Sequence, residues 1–308
     1  MIERKVHLIM ELDNVLYDFA NYYLNISEFI ANLVSDTFGI DKEYFLSAFI
    51  SKLKNSIFVN NDYTYITYEL LKELKRNPVS LENNGARVSL INSIKTKFNQ
   101  ARLRYLKFFP GSITLLKNFK ESKIGIIGLT NSPARVVKQR IKLFEIDKYF
   151  DVIYCLQDSF SGEDQGYENE DSPEGIWFHS ICNNVSSLMC DIVEFPSMYQ
   201  KPSKRILLRI LEDEKIPEEN VIVIGNSIEN DILPARLLKM KAILVDIKTK
   251  ILNRKTLSRF MKDIPVKQLR KILNLPNNKP LLPKVENLTR VSSIPELIYA
   301  FEDAKIIA

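Results

Sequence analysis

The sequence predicts an α/β protein built on a doubly wound parallel sheet, with an all-helical segment inserted after the first strand. Three observations support this prediction. Short apolar runs alternate with segments of helical periodicity along much of the chain, which is typical of parallel strands joined by helices. Residues 17–108 show helical periodicity only. Polar residues follow several of the apolar runs, at strand ends where open α/β sheets bind ligands.

The composition is that of an ordinary water-soluble protein: the chain has 308 residues, of which 45% are hydrophobic and 26% charged. No apolar run approaches the roughly 20 residues that a membrane-spanning helix needs, and we expect no signal peptide because acidic residues interrupt the apolar run near the N-terminus. The net charge of +5 permits nucleic-acid binding without indicating it. The cysteines Cys155, Cys182 and Cys190 lack metal-type spacing, so we expect reduced thiols and a cytoplasmic location.

The first predicted strand covers residues 6–10 and is followed by two carboxylates, Glu11 and Asp13. Side chains two residues apart on extended backbone point the same way, so both carboxylates should project into one spot. Two negative charges this close repel each other unless a cation lies between them, and a divalent metal ion is the simplest candidate. The alternative is an ordinary exit from strand to loop, where paired acids also occur.

Four helices are predicted between residues 17 and 108, each with an apolar stripe at helical spacing. Gly39 should end the first helix, and Asn77-Pro78 the third. The stripes lie within residues 19–33, 45–53, 65–74 and 88–103. We expect their aromatic side chains to form a hydrophobic core, although a few could face a cleft and contact a ligand.

Four further strands are predicted in the rest of the chain, at residues 124–129, 152–155, 221–224 and 242–245. Thr130 follows the first of these, and Ser132 and Pro133 suit the N-cap and first position of the next helix. At such a junction the Thr130 hydroxyl and free backbone N–H groups can bind an anion, or Thr130 simply caps the turn. A polar turn at residues 225–231 follows a later strand, so polar groups gather at the same end of the sheet.

Two segments fall outside the alternating pattern. Residues 157–200 contain many acidic residues with Gly and Ser, so we predict an irregular solvated insertion rather than a cation site, with short helices where apolar residues return. Its first acidic residues are Asp158, Glu163, Asp164, Glu168, Glu170, Asp171 and Glu174. A basic C-terminal extension covers residues 247–290, and its residues 248–271 interleave Lys and Arg with apolar residues. This segment can lie on an anionic membrane or nucleic acid, but we favour a solvated helix packed on the edge of the sheet.

The order of these motifs resembles that of the haloacid dehalogenase (HAD) superfamily of phosphohydrolases. The motifs are the acid pair with Asn14-Val15-Leu16-Tyr17, the strand ending in Thr130-Asn131-Ser132, Lys201-Pro202, and residues 225–231. The resemblance implies a Rossmann-like core of residues 1–16 and 109–308 and a helical cap domain of residues 17–108. It also implies Mg²⁺-dependent hydrolysis of a small phosphorylated metabolite.

The resemblance, carried over by position, assigns a role to each residue of the site. In the family, a nucleophile attacks phosphorus to form an acyl-phosphate, and a second acid protonates the leaving oxygen and then activates water. The assigned residues are Glu11 as nucleophile and Asp13 as acid/base, Thr130, Asn131 and Lys201 as phosphate-binding groups, and Glu11, Asp13, Asn226 and Asp231 as Mg²⁺ ligands.

Two of these positions depart from the family pattern, which has Asp where this chain has Glu11 and Asn226. The additional methylene of Glu moves the attacking oxygen by about 1.5 Å, and a misplacement of about 1 Å can slow a reaction on the order of a hundredfold. Asn226 removes one negative charge from the metal site. Three hypotheses therefore stay open: a phosphatase with a displaced nucleophile, a pseudoenzyme that keeps a binding site, or a scaffold whose basic segment contacts nucleic acid or a membrane.

Overall fold

The structure of the protein is a computed structural model, and it describes residues 6–55, 62–74, 84–160, 169–181, 187–273, 275 and 288–303. The strands in this part of the chain are β1 (His7–Met10), β2 (Gly125–Pro133), β3 (Val152–Leu156), β4 (Asp191–Phe195), β5 (Val221–Gly225), β6 (Lys241–Val245) and β7 (Thr289–Val291). They form one seven-stranded sheet in the order β4-β3-β2-β1-β5-β6-β7, and all neighbouring strands are parallel. The predicted α/β class is confirmed.

Strand β1 lies at the centre of the sheet, paired with β2 on one side and β5 on the other. Its side chains alternate between two hydrophobic cores, because Leu8 and Met10 pack on one face of the sheet and Ile9 on the other. A strand covered on both faces has a continuous apolar sequence, as predicted here. The strand order reverses at β1, so the carboxyl ends of β2, β1 and β5 border the crevice where such sheets bind ligands.

Helices cover both faces of this sheet and form the segment that follows β1. They are α1 (Phe19–Phe38), α2 (Lys42–Asn55), α3 (Tyr63–Leu74), α4 (Asn84–Tyr105), α5 (Ser112–Glu121), α6 (Ala134–Leu143), α7 (Pro173–Ile181), α8 (Arg205–Glu214), α9 (Leu233–Leu237), α10 (Arg254–Asp263), α11 (Val266–Ile272) and α12 (Ile294–Asp303). Over the described ranges, every helix is too short or too polar to cross a membrane.

Helices α1–α4 form a helical insert between β1 and α5, as the periodicity predicts. Gly39 ends α1 in the left-handed conformation with φ of 66°, which suits glycine. The apolar stripe predicted for α4 is partly wrong. Ile94 and Phe98 are buried, but Val88 and Leu103 are exposed because they lie off the inward-facing side of the helix. Asn77-Pro78, the predicted end of α3, lies outside the described residues.

The insertion at residues 157–200 is more ordered than predicted, because it contributes strand β4 and helix α7. Strand β4 is at the edge of the sheet and its side chains are mostly half-buried or exposed, so it lacks the apolar run of an internal strand. Helix α7 packs on α3 and α4 of the helical insert, where Trp177 lies edge-on to Phe98 with ring centroids 5.7 Å apart. Residues 161–168 and 182–186, including Glu163, Asp164, Glu168 and Cys182, lie outside the described residues.

The basic segment also differs from its prediction. Helix α10 packs on α1 and α2 of the helical insert, where we expected packing on the sheet edge. Asn253 caps α10 by accepting a hydrogen bond from Thr256 N, and its amide donates to Asn25 and Glu28 of α1. These bonds attach the segment to the insert.

Helix α6 of the core is joined to the helical insert through Arg135. Its guanidinium donates to the Asp62 carboxylate at 2.8 Å and to the Thr64 hydroxyl at 2.6 Å. Asp62 is fully buried, and the Arg135 guanidinium lies 4.4 Å from the centroid of the Phe160 ring. A buried ion pair therefore holds the insert against the core.

Candidate active site

The carboxyl ends of three neighbouring strands bring most of the predicted site residues together. Met10 of β1 is in register with Gly128 of β2 and Ile224 of β5, so the residues after these strands lie at one end of the sheet. Glu11 continues this pairing, because its backbone N–H donates to Ile224 O at 2.9 Å. The alternating pattern of the sequence predicts this convergence.

The Glu11 carboxylate is bound at both of its oxygens. Oε1 accepts hydrogen bonds from the backbone N–H groups of Leu12 at 2.8 Å and Asp13 at 3.0 Å, so the side chain folds back over its own loop. Oε2 is paired with Nζ of Lys201. The carboxylate therefore engages three donors of the kind that bind phosphoryl oxygens, namely two backbone N–H groups and a lysine.

Lys201 links Glu11 to Asp231. Its Nζ lies 2.6 Å from Asp231 Oδ1, and the other oxygen of Asp231 accepts from Ser227 N at 3.0 Å. Asn131 fixes the backbone of Lys201, since its Oδ1 accepts from Lys201 N at 3.1 Å and its Nδ2 donates to Lys201 O at 3.3 Å. Asn131, predicted to hold phosphate, here positions the lysine.

Burial controls the ionisation of Glu11 and Lys201. The Glu11 side chain is almost inaccessible to solvent, and this burial raises the pKa of Glu11 to about 7. The charge of Lys201 opposes the rise, and the charges of Asp13 and Asp231 add to it. Burial alone would lower the pKa of Lys201. The negative charges of Asp231 and Glu11 have the larger effect, so the pKa of the ammonium is raised. Lys201 is therefore a permanent cation, and Glu11 can take up a proton near neutral pH.

Asp13 faces away from this corner, toward Ser132 and Arg140. The Ser132 hydroxyl donates to Asp13 Oδ2 at 2.8 Å, and Arg140 Nη1 lies 3.2 Å from Oδ1. Arg140 is buried, and its guanidinium lies 5.2 Å from the ring centroid of Phe19 and 5.3 Å from that of Tyr22. Both oxygens of the predicted acid/base are thus engaged by the protein itself.

Arg140 is a site residue that the sequence motifs do not predict, and α6 begins later than predicted. Ser132 bonds to Asp13 instead of capping the helix, and Pro133 occupies the N-cap position instead of the first helical position, because β2 continues to Pro133. Arg140 lies on the same helix face as Val137 and Ile141. A charged residue within an apolar stripe is the sequence feature that could indicate a buried functional arginine. Thr130 Oγ1 accepts from Ser132 N at 3.1 Å, which is the turn-capping alternative.

The turn at residues 225–231 depends on Gly225. A Cβ atom at this position would lie 2.2 Å from Asp231 Cβ, which is far inside van der Waals contact. The Asp231 Cβ is fixed to the backbone, so the turn itself would have to move to accommodate a methyl group. The absence of a side chain at residue 225 therefore lets Asp231 reach Lys201.

We expect Gly225→Ala to lower the free energy of unfolding by roughly 1–3 kcal/mol, because overpacking displaces the turn. Urea denaturation of wild type and variant measures this loss. Asp231→Asn, which keeps the shape and removes the charge, separates the steric effect from the ion pair. A Gly225→Ala protein as stable as wild type would contradict the tight packing of Asp231 over Gly225.

The residues present do not fit Mg²⁺ in this arrangement. Glu11 and Asp231 are bridged by the Lys201 ammonium, Asp13 is paired with Arg140, and the remaining predicted ligand, the buried Asn226, carries no charge. Among the described residues, no three His, Cys, Asp or Glu side chains are grouped closely enough to hold a metal ion. Cations of the protein already neutralise the carboxylates that Mg²⁺ would need.

A small cleft borders the Lys201 corner. Its polar wall consists of Glu11, Lys201, Asp231, Ser203 and Asn230. Its apolar wall comes from β1, β2, β5, α8 and α9. Apart from the open solvent in front of it, the enclosed space is about 10 Å³, which is room for about one water molecule, so a ligand at Lys201 needs neighbouring side chains to move.

Comparisons with known proteins identify a family for this chain and solved structures with a similar fold. The family model described as haloacid dehalogenase-like hydrolase matches residues 9–165, and a HAD-hydrolase-like model matches residues 198–258. Among solved structures, a HAD phosphatase from Thermococcus onnurineus is 13% identical with a TM-score of 0.52, covering 96% of this chain and 97% of that one. The 2-haloacid dehalogenase from Pseudomonas syringae pv. Tomato DC3000 is 14% identical with a TM-score of 0.51, covering 97% and 99%.

At such identities the two structures show the fold alone. The comparison with curated proteins gave no match. The first family model spans half of the chain, from β1 and the acid pair through the helical insert and β3 to residue 165. The chain therefore belongs to the haloacid dehalogenase-like hydrolase family.

Proposed function

We propose that this protein is a catalytically impaired member of the family, which keeps a small-anion site at Lys201 but does not carry out Mg²⁺-dependent phosphate hydrolysis. One observation carries the proposal: the Glu11 carboxylate itself engages the Leu12 and Asp13 N–H groups and Lys201 Nζ. A phosphoryl group would need these donors. Glu11 thus acts as a built-in competitor for a phosphorylated ligand.

The surroundings of Asp13 support the same proposal. An acid that protonates a leaving group must reach the leaving oxygen directly or through one water. Arg140 and Ser132 engage both oxygens of Asp13, so a leaving group would have to displace one of them. Arg140 is held by stacking on the helical insert, which makes this displacement costly.

A second candidate is phosphatase-type hydrolysis of a small phosphorylated metabolite with Glu11 as nucleophile. It is favoured by the contact of Glu11, Lys201 and Asp231 beside a cleft at the switch point of the sheet. In this mechanism Glu11 Oε2 would leave Lys201 and attack phosphorus while Lys201 holds a phosphoryl oxygen, and Asp13 would protonate the leaving oxygen. The family resemblance assigns Mg²⁺ to this reaction.

Restoring the two family carboxylates tests the proposal. Wild type, Glu11→Asp, Asn226→Asp and the double variant are assayed for phosphate release from small phosphorylated metabolites, with Mg²⁺ and with EDTA. We expect wild type to remain at background. The double variant should gain at least on the order of a hundredfold with Mg²⁺, because the shorter Asp withdraws from the anion donors and the second Asp restores a metal ligand.

Asp13→Asn in the double variant is the control, since it should abolish any gained activity while a contaminating phosphatase would persist. Wild-type turnover equal to that of the double variant would overturn the proposal in favour of the second candidate. A double variant that folds but stays inactive would show that Glu11 and Asn226 are not what blocks hydrolysis.

A further inference from the structure

The charge of the chain is concentrated in one segment. Residues 248–271 contain nine Lys and Arg residues and one acidic residue, Asp263, which gives a net charge of +8. The whole chain carries +5, so the remaining residues together carry −3. All residues of this segment are described by the structure, and it is basic in an otherwise slightly acidic protein.

Helix α10 presents its charges on one side. The inward side buries Thr256 and Phe260, whereas Arg254, Lys255 and Lys262 are exposed on the opposite side. Helix α11 follows the same pattern: it buries Leu269 and Ile272 and exposes Val266, Lys267 and Lys271. The outward sides of both helices are therefore basic.

Apolar side chains are exposed among these cations. Leu252 is 71% exposed, Met261 52% and Val266 55%. We define the basic face as these three residues together with the exposed cations of the segment, which are Lys248, Lys250, Arg254, Lys255, Lys262, Lys267 and Lys271. Helices that lie at a membrane surface have a similar composition, with many Lys and Arg residues and a few apolar side chains that enter the bilayer interface.

The basic face is preformed. Arg259 pairs with Glu43 of α2 at 2.9 Å, and Gln268 Nε2 donates to Leu53 O at 3.1 Å and to Lys54 O at 2.9 Å. Together with the Asn253 bonds to α1, these contacts fix both helices on the helical insert. A partner would meet an ordered surface and would not have to order a flexible tail.

We propose that the basic face docks the protein on an anionic lipid bilayer. Six of its seven cations are lysines, which suit the diffuse negative charge of a layer of lipid headgroups because each acts as a point charge. Nucleic-acid phosphates are bound more often by arginine, whose planar guanidinium donates two parallel hydrogen bonds. Leu252, Met261 and Val266 can enter the interfacial region of the bilayer. The only aromatic side chain of residues 248–271, Phe260, is buried, so the segment offers no ring on which bases could stack.

Vesicle co-sedimentation of the full-length chain tests the proposal. We expect binding to phosphatidylcholine vesicles that contain phosphatidylglycerol, little binding to pure phosphatidylcholine, and weaker binding as salt rises. The triple variant Lys255→Gln, Lys262→Gln and Lys267→Gln should bind anionic vesicles on the order of a hundredfold less tightly, from three lost surface charges.

The matched control is Lys97→Gln, Lys204→Gln and Lys241→Gln, which removes the same charge at exposed positions on other elements and should bind like wild type. A second variant, Leu252→Ser, Met261→Ser and Val266→Ser, keeps every charge and should also weaken vesicle binding. All substituted positions are exposed, so unchanged thermal unfolding confirms that each variant is folded.

Three results would overturn the proposal. No binding to anionic vesicles at low salt would exclude the bilayer as partner. Equal loss in the matched control would show that only net charge matters. Binding of a single-stranded RNA that is tighter than vesicle binding, and unchanged in the serine variant, would assign the face to nucleic acid.

Discussion

Replacing Lys201 with methionine should lower the free energy of unfolding by roughly 3–5 kcal/mol. The Lys201 ammonium is the cation between the buried carboxylates of Glu11 and Asp231, and methionine keeps the length of the side chain without its charge. The substitution leaves two buried carboxylates facing each other, so one of them must either take up a proton or keep an uncompensated charge in a site that water hardly reaches. Urea denaturation at pH 8 measures the loss.

Lys204→Met is the matched control for Lys201→Met. It removes the same charge at an exposed position three residues further along the chain, and we expect a change within about 0.5 kcal/mol. The loss in Lys201→Met should shrink at pH 5, because Glu11 can then be protonated. Equal losses in the two variants would contradict the bridging role of Lys201.

Glu11 should contribute a loss of stability as the pH rises from about 4.5 to about 7. Burial raises the pKa of Glu11 from 4.5 to about 7, so between these values the folded protein binds a proton that the unfolded chain has released. Stability falls with rising pH wherever the folded state binds more protons. The Glu11 contribution over this window is on the order of 3 kcal/mol.

Glu11→Gln tests the pH dependence, because glutamine retains the side-chain length but does not titrate. The difference in unfolding free energy between wild type and Glu11→Gln, measured in EDTA at several pH values, should change by this amount across the window. Glu219→Gln, which removes a carboxylate at an exposed position, is the matched control. A wild-type curve parallel to that of Glu11→Gln would show that Glu11 is not the titrating group.

Local patterns predict the internal strands and the convergence of Glu11 and Asp231, whereas Lys201 follows no predicted strand and is placed at the site only by the family resemblance. A strand buried on two faces has an apolar run, and residues at the carboxyl ends of parallel strands share one edge of the sheet. Edge strands β4 and β7 lack that signal, since one is largely half-buried or exposed and the other has three residues. Their pairing becomes evident only in the assembled sheet.

The roles of Arg140 and Asn131 could not be predicted from local patterns either. Arg140 reaches Asp13 across 127 positions of sequence, and Asn131 binds Lys201 across 70. Periodicity describes which face of an element is apolar, but it does not describe which polar side chain of one element meets another. The family resemblance places residues by motif, so it could not identify an arginine that lies outside the motifs.

The two arginines of α6 have a consequence for how a ligand reaches the site. Moving the helical insert away from the core would separate Arg135 from Asp62 and remove Phe19 and Tyr22 from Arg140. The charges of both arginines would then lose contacts that they have in the buried state. The broken pairs would cost several kcal/mol, so such an opening is rare on the timescale of diffusion. A ligand then has to reach Lys201 with the helical insert in place, so the side chains that line the cleft, Ser203 and Asn230 among them, select the ligand rather than the motion of a lid.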